Sequence, residues 1–205
     1  MGACSTWRQF AVSRDSTDWY GRNARAYCEE TLGANLELQH LRFLKHVPAG
    51  GLILDVGCGS GRDSLSFHRL GYRVDARDCS AAMAAEATRL TGITVRVQDI
   101  LDLDDCGSFD AVWACAVLLH LSEADAAEAV RRVARSLAPG GSVYISVKRG
   151  VGEETIDGRK FKYWERDALP AFVSLHGRLN PIDCWETQAP NHPSTTWINL
   201  IAKRE

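Results

Sequence analysis

The chain has 205 residues, with 24 basic side chains against 26 acidic ones and a formal net charge of −2. That near-balance supplies no overall positive field to gather nucleic acid or an anionic membrane. No apolar run approaches the roughly 18 residues of a bilayer span, and the length suits one domain with a sizeable core rather than two.

The seven cysteines, Cys4, Cys28, Cys58, Cys79, Cys106, Cys115 and Cys184, are scattered and form no CxxC pair. That pattern argues against zinc and against a redox dithiol, so no metal is expected and the thiols read as small apolar groups in a reducing compartment. The opening MGACSTWRQF lacks the apolar core of a secretory signal, and a cytoplasmic location is expected.

Residues 1–16 are polar and without period. From Asp18 to Val47 the spacing of Tyr20, Ala24 and Tyr27, then of Leu36, Leu41 and Leu44, predicts one or two helices. Pro48 to Gly51 breaks them, and LILDV (52–56) reads as a strand buried on both faces. A helix from Arg62 closes at Gly71, YRVDARD (72–78) is a second strand, and an alanine-rich helix runs from its Ser80 cap to Gly92. ITVRVQD (93–99) and FDAVWACAVLL (109–119) are further strands. Ser122 to Asp125 resembles a capping box for a helix reaching Ala138, followed by strand 142–148. Residues 149–164 read as a long glycine-rich, charged loop of the kind that carries function. Helix 167–176 and strands near 179–188 and 194–202 complete the chain. Strands alternating with helices imply a parallel sheet covered on both faces.

The decisive stretch is LDVGCGSGRD, in which Asp55 precedes Gly57, Gly59 and Gly61. The dinucleotide spacing G-x-G-x-x-G fails, because its third glycine slot holds Arg62 in one frame and Ser64 in the other. No Gly-Lys-Ser/Thr ending marks a P-loop. The motif resembles the first motif of the class I S-adenosylmethionine-dependent methyltransferases, close to their small type 11 or 12 and tellurite-resistance-like members. The resemblance implies a three-layer α/β, Rossmann-like, doubly wound sheet of seven mostly parallel strands with an antiparallel C-terminal strand. It implies one domain: a helical lid segment (1–47), a cofactor-binding core (50–148), and an acceptor-side loop, helix and strands (149–205).

By the same resemblance, Asp55 and the backbone of Gly57, Cys58, Gly59 and Gly61 hold the methionine end of S-adenosylmethionine. Asp78 takes the ribose hydroxyls, with Cys79 beside it. Met83, Asp99 and Ile100 surround the adenine. Ala114 flanks the cofactor, and Tyr20 and Tyr27 cover it. Asp75 is a competing ribose acid of opposite strand parity, and Arg77 stands where an apolar residue is usual.

His120, just past the fourth strand, is the candidate base for an acceptor that must lose a proton. Packing at a helix start is the equally ordinary role for it. A thiolate or tertiary amine acceptor would need no base. The expected reaction is methyl transfer to a small-molecule acceptor by a monomer or homodimer without a membrane partner. Nucleic-acid or protein methylation through the alternating basic and aromatic residues 159–164 is the second expectation. A cofactor-binding subunit without catalysis is the third.

Overall fold

The computed structural model describes residues 14–189 and 192–205. Residues 1–13 and 190–191 lie outside the described residues. Helix α1 spans Arg14–Thr31 and α2 spans Glu37–Leu44. Strand β1 (Leu52–Val56), α3 (Arg62–Arg69), β2 (Arg73–Asp78), α4 (Ala81–Thr91) and β3 (Val95–Val97) follow in alternation. Then come β4 (Phe109–Cys115), α5 (Glu123–Ser136), β5 (Leu137–Lys148), β6 (Glu153–Ile156), β7 (Arg159–Lys162), α6 (Ala168–Gly177), β8 (Leu179–Ala189) and β9 (His192–Arg204).

Seven strands form one sheet in the order β3-β2-β1-β4-β5-β9-β8. Pairing is parallel from β3 through β5, and β9 runs antiparallel to both β5 and β8. The chain order reverses between β1 and β4, which opens a crevice at their carboxyl ends, the place where such sheets bind ligands.

Local chemistry accounts for the boundaries. The Ser80 hydroxyl accepts from the Met83 amide to start α4, and Gly92 ends it at a φ of 73°. The Ser122 hydroxyl accepts from the Asp125 amide and donates to its carboxylate, opening α5. Pro170 sits in the first turn of α6, where its missing amide costs no helical bond.

Three boundaries differ from expectation. Strand β3 keeps only three residues, because Asp99 turns the chain by accepting from the Leu101 amide. Helix α5 stops at Ser136, and Leu137 already pairs with Phe109, so the Pro139-Gly140-Gly141 stretch is an irregularity inside β5. Residues 149–164 are not an open loop: β6 and β7 form a hairpin around Asp157-Gly158, both at positive φ. Asp-Gly is the pairing that a two-residue hairpin turn favours.

Two apolar layers sandwich the sheet. The larger gathers Leu54, Val112, Ala114, Val130, Val133, Ile145, Leu169 and Leu200 beneath α5 and α6. The smaller places Phe43 of α2, Phe67 of α3, Trp113 and Tyr144 on the opposite face. Trp113 and Tyr144, paired across β4 and β5, stack at 3.7 Å between ring centres. Helix α1 lies over α4 through Ala24, Cys28 and Met83. Among the described residues no helix is long and apolar enough to cross a membrane.

Candidate active site at the strand ends

Asp55, Asp78 and Asp99 stand at or just beyond the carboxyl ends of β1, β2 and β3, all of them buried. The loop after β1 folds back onto β2: the Gly59 amide donates to Asp78 Oδ2 at 3.0 Å, and Cys58 N–H bonds the Arg77 carbonyl. The other Asp78 oxygen accepts from the Ser80 amide at 2.9 Å. Asp55 accepts from the Ser64 hydroxyl at 2.6 Å.

Among the described residues, none of these three acids has a cationic side chain bonded to it. Burial therefore raises each above the ordinary carboxylate value, Asp78 to about 6 against the pull of its two amide donors. For Asp55 the neighbouring Asp63 charge adds to burial. Three desolvated carboxylates call for a ligand that brings hydroxyl donors and positive charge. The backbone beside them is shaped for close approach. Gly57 has a φ of 67°, and a β-carbon there would meet Val117 Cγ2 at 2.7 Å.

A cavity of about 660 Å³ opens at this point. It runs from Asp55, Gly57 to Ser60 and Tyr27, past Arg62 and Cys115, to Tyr144, Ser146, Trp197 and Asn199 on β5 and β9. Of the residues expected from sequence, Tyr27, Asp55, Gly57, Cys58 and Gly59 line it. Asp78, Cys79, Met83, Asp99 and Ile100 do not line it: Ile100 packs in the layer beneath α5, and Cys79 and Met83 face α1.

Met83 is packed against Ala24 and Cys28 of that helix. Gly61 starts α3 at a φ of 73°, with Thr91 and Ala87 close behind it. Ala114 faces the α5 layer, while its neighbour Cys115 faces the cavity, as the alternation of strand side chains requires. Burial pushes the Cys115 thiol up to about 12, so it is a neutral lining group.

Tyr20 and Tyr27 meet edge to face at 5.1 Å, and Tyr20 lies 3.1 Å from His120 Nε2. The other ring nitrogen, Nδ1, donates to the Lys160 carbonyl at 2.8 Å, which leaves Nε2 as acceptor of the Tyr20 hydroxyl. Burial lowers the imidazole to about 4, so it is neutral near pH 7. His120 thus bridges α1 and the hairpin. The Lys160 amide also bonds Ser16 Oγ, and Arg159 lies over the Trp19 ring at 4.0 Å. Arg159 and the Lys160 amide therefore fasten the hairpin to α1, Lys162 ties it to Glu123 of α5, Phe161 and Trp164 are buried, and Lys148 sits over Phe161.

Asp75 is spent elsewhere. Arg77, buried, bonds Asp75, Asp105 and Gln98, and Arg96 joins the same carboxylate.

Sequence reading missed a second group of residues. Asp63 is fully enclosed by donors: His40 Nε2 at 3.0 Å, Trp113 Nε1 at 2.9 Å, and a two-pronged Arg62 at 2.9 and 2.8 Å. Burial opposes its charge, but these partners hold it well below the usual carboxylate range. Tyr144 donates to Asn199 Oδ1 at 2.6 Å, and Ser146 to Cys115 Sγ. Arg62 and Asp63 lie inside the glycine motif itself, but nothing in their spacing names their partners. Tyr144 and Asn199 meet only once the β5–β9 register is known.

An acid at each of three adjacent strand ends stands over a loop of three left-handed glycines, in a Rossmann-like α/β fold of the class I methyltransferase kind. Residues 53–141, somewhat less than half of the chain, match the family model described as a methyltransferase domain. Over 106 residues it is 41% identical to the ubiquinone biosynthesis O-methyltransferase of Xanthomonas oryzae pv. oryzae. That match takes in 48% of this chain and 43% of the relative, so the chain spans less than half the length of that curated protein.

Among solved structures, the 1,6-didemethyltoxoflavin-N1-methyltransferase of Burkholderia thailandensis, bound to its 1,6-didemethyltoxoflavin and S-adenosylhomocysteine, superposes with a TM-score of 0.77 at 21% identity. The alignment covers 94% of this chain and 87% of that one. The [4+2]-cyclase SpnF superposes at 0.72 with 18% identity, covering 96% and 97% of the two chains. At such identities the likeness is one of fold, and a fold that also serves a cyclase does not fix the reaction.

Proposed function

We propose that this protein transfers a methyl group from S-adenosylmethionine to a small-molecule acceptor, acting as one domain. The observation that carries the reading is the set of buried carboxylates Asp55, Asp78 and Asp99 around the Gly57–Gly61 loop, with no cationic side chain bonded to them among the described residues. S-adenosylmethionine brings what those groups lack: hydroxyl donors, an amine cation and a sulfonium. Asp78 and Asp99 are assigned to the ribose and adenine, Asp55 to the amine end, and the glycine backbone to the close approach beside it. Once bound, the sulfonium supplies an electrophilic methyl group.

The chain's own work is positioning and exclusion of water. Tyr20 and Tyr27 of α1 cover the site, and the His120–Lys160 link holds that cover against the hairpin. His120 is neutral and its Nε2 is an acceptor. An acceptor hydroxyl that displaced the Tyr20 hydroxyl from Nε2 would find a base there. The small acceptor is favoured because two basic residues of the hairpin are engaged within the protein, Arg159 over the Trp19 ring and Lys162 with Glu123. The named relatives, an O-methyltransferase and a toxoflavin-precursor methyltransferase, support the same class.

The test is incubation of the purified protein with methyl-labelled S-adenosylmethionine and separate metabolite, RNA and protein fractions. Label in the metabolite fraction is expected. Label only in RNA or protein would move the reading to the macromolecular acceptors.

A further inference from the structure

Resting on the methyl-transfer reading above, we propose that Lys148 receives an anionic oxygen group, a carboxylate or a phosphate, carried by the small-molecule acceptor. Lys148 ends β5 two residues beyond Ser146 and on the same strand face, opposite Trp197 of β9. Ser146 and Trp197 both line the cavity, so the lysine stands at its rim. Lys148 is half-buried, with Nζ 3.8 Å from the centre of the Phe161 ring. Among the described residues it makes no hydrogen bond and no ion pair.

The charges around it are committed elsewhere. Lys162 pairs with Glu123, Arg149 with Glu186 and Arg159 with Asp157, while Lys160 is exposed. Glu154, the carboxylate whose field reaches Lys148, accepts from the Tyr163 hydroxyl. Burial and the Arg159 charge draw the Lys148 ammonium below the usual lysine value, against the pull of Glu154. An anion brought to such a desolvated, unpaired cation relieves it. Lysine offers a compact point charge that suits carboxylate and phosphate alike. The His120 ring lies 5.0 Å from the same Phe161 ring, so the anion enters on the side where the candidate base stands.

The amino-acid end of the methyl donor also carries a carboxylate, and sheet register separates it from Lys148. Asp55 is level with Trp113, and Trp113 with Tyr144. Lys148 is thus two strands across from Asp55 and four residues further along, about 16 Å between Cα atoms. The donor's carboxylate is borne on the same carbon as the amine assigned to Asp55, and Arg62 is close by it. Lys148 is left to the acceptor.

The experiment titrates benzoate, phenyl phosphate and neutral benzamide into protein saturated with S-adenosylhomocysteine. Wild type is expected to bind at least one of the anions roughly tenfold more tightly than benzamide. The tighter anion names the group that the acceptor carries. Lys148→Met, which keeps the length and the contact with Phe161, should lose the preference, and Lys148→Arg should keep it. Both variants should hold S-adenosylhomocysteine within threefold of wild type. A tenfold loss of that affinity in Lys148→Met would tie the lysine to the donor and overturn the proposal. Anions bound no better than benzamide by the saturated wild type, whether all three bind or none does, would overturn it without any variant. Failure of wild type to bind S-adenosylhomocysteine at all would remove the methyl-transfer reading, and this inference with it.

Discussion

Replacing Asp78 by Asn tests the ribose assignment with almost no change of shape. In the native chain both carboxylate oxygens accept backbone amides, from Gly59 at 3.0 Å and Ser80 at 2.9 Å. An asparagine has one acceptor oxygen, so in either orientation its amide nitrogen faces a backbone N–H. One buried donor is left unpaired, at a cost of about 1–3 kcal/mol. For a domain of this size that corresponds to a melting temperature lower by roughly 2–12 °C.

Affinity falls further, because the ligand's hydroxyls lose a charged acceptor. A hydrogen bond to a charged group is worth about 1.5–3 kcal/mol, or about 10- to 150-fold in Kd. Calorimetric titration with S-adenosylhomocysteine reads the affinity, and a thermal melt of the ligand-free protein reads the structural share. An Asp78→Asn protein that melts lower yet binds within twofold of wild type would refute the ribose assignment and leave Asp78 as a brace for the glycine loop.

The other predictions concern protonation, the glycine loop and the cover. Asp78 titrates at about 6 in the ligand-free fold, above the ordinary carboxylate value, so the folded state holds a proton that the unfolded chain releases. Ligand-free stability should therefore decline as pH rises from about 4 through about 6, while affinity for a ligand that needs the ionised acid should rise about tenfold from about pH 5 to about pH 7. Titrations in buffers of different ionisation enthalpy should show proton release on binding, and a pH-independent affinity would count against the acid cluster. Gly57→Ala should cost about 1–2 kcal/mol from its left-handed backbone alone, plus the push against Val117 at 2.7 Å. Denaturant unfolding reads that loss, and a variant as stable as wild type would mean that the loop adapts. His120→Ala should lower turnover at least tenfold while Tyr20→Phe lowers it less than threefold. Equal losses in the two would make their hydrogen bond, rather than the imidazole, the working part.

Much of the layout was legible in the sequence because each strand and helix carries its own local instructions. LILDV has to be buried, Ser80 has to cap, and Gly92 has to stop, whatever the rest of the chain does. The failures are places where local signals compete or partners are distant. Asp-Gly at 157–158 was a hairpin signal that the charge of 149–164 obscured. Arg77 looked misplaced until Asp105 and Gln98, which no spacing links to it, supplied its partners.

The candidate site divides in the same way. The acids and glycines at the strand ends are fixed by motif. The Arg62–Asp63–Trp113 group and the Tyr144–Asn199 pair depend on sheet register, and only the folded chain shows them.

The central claim is that the loop and its three acids hold an adenosyl sulfonium ligand rather than a dinucleotide. Calorimetric titration of the purified protein with S-adenosylmethionine, S-adenosylhomocysteine and NADH tests it most directly. The account predicts saturable one-to-one binding of the two adenosyl ligands and none of NADH. Binding of NADH alone, or of none of the three, would contradict it.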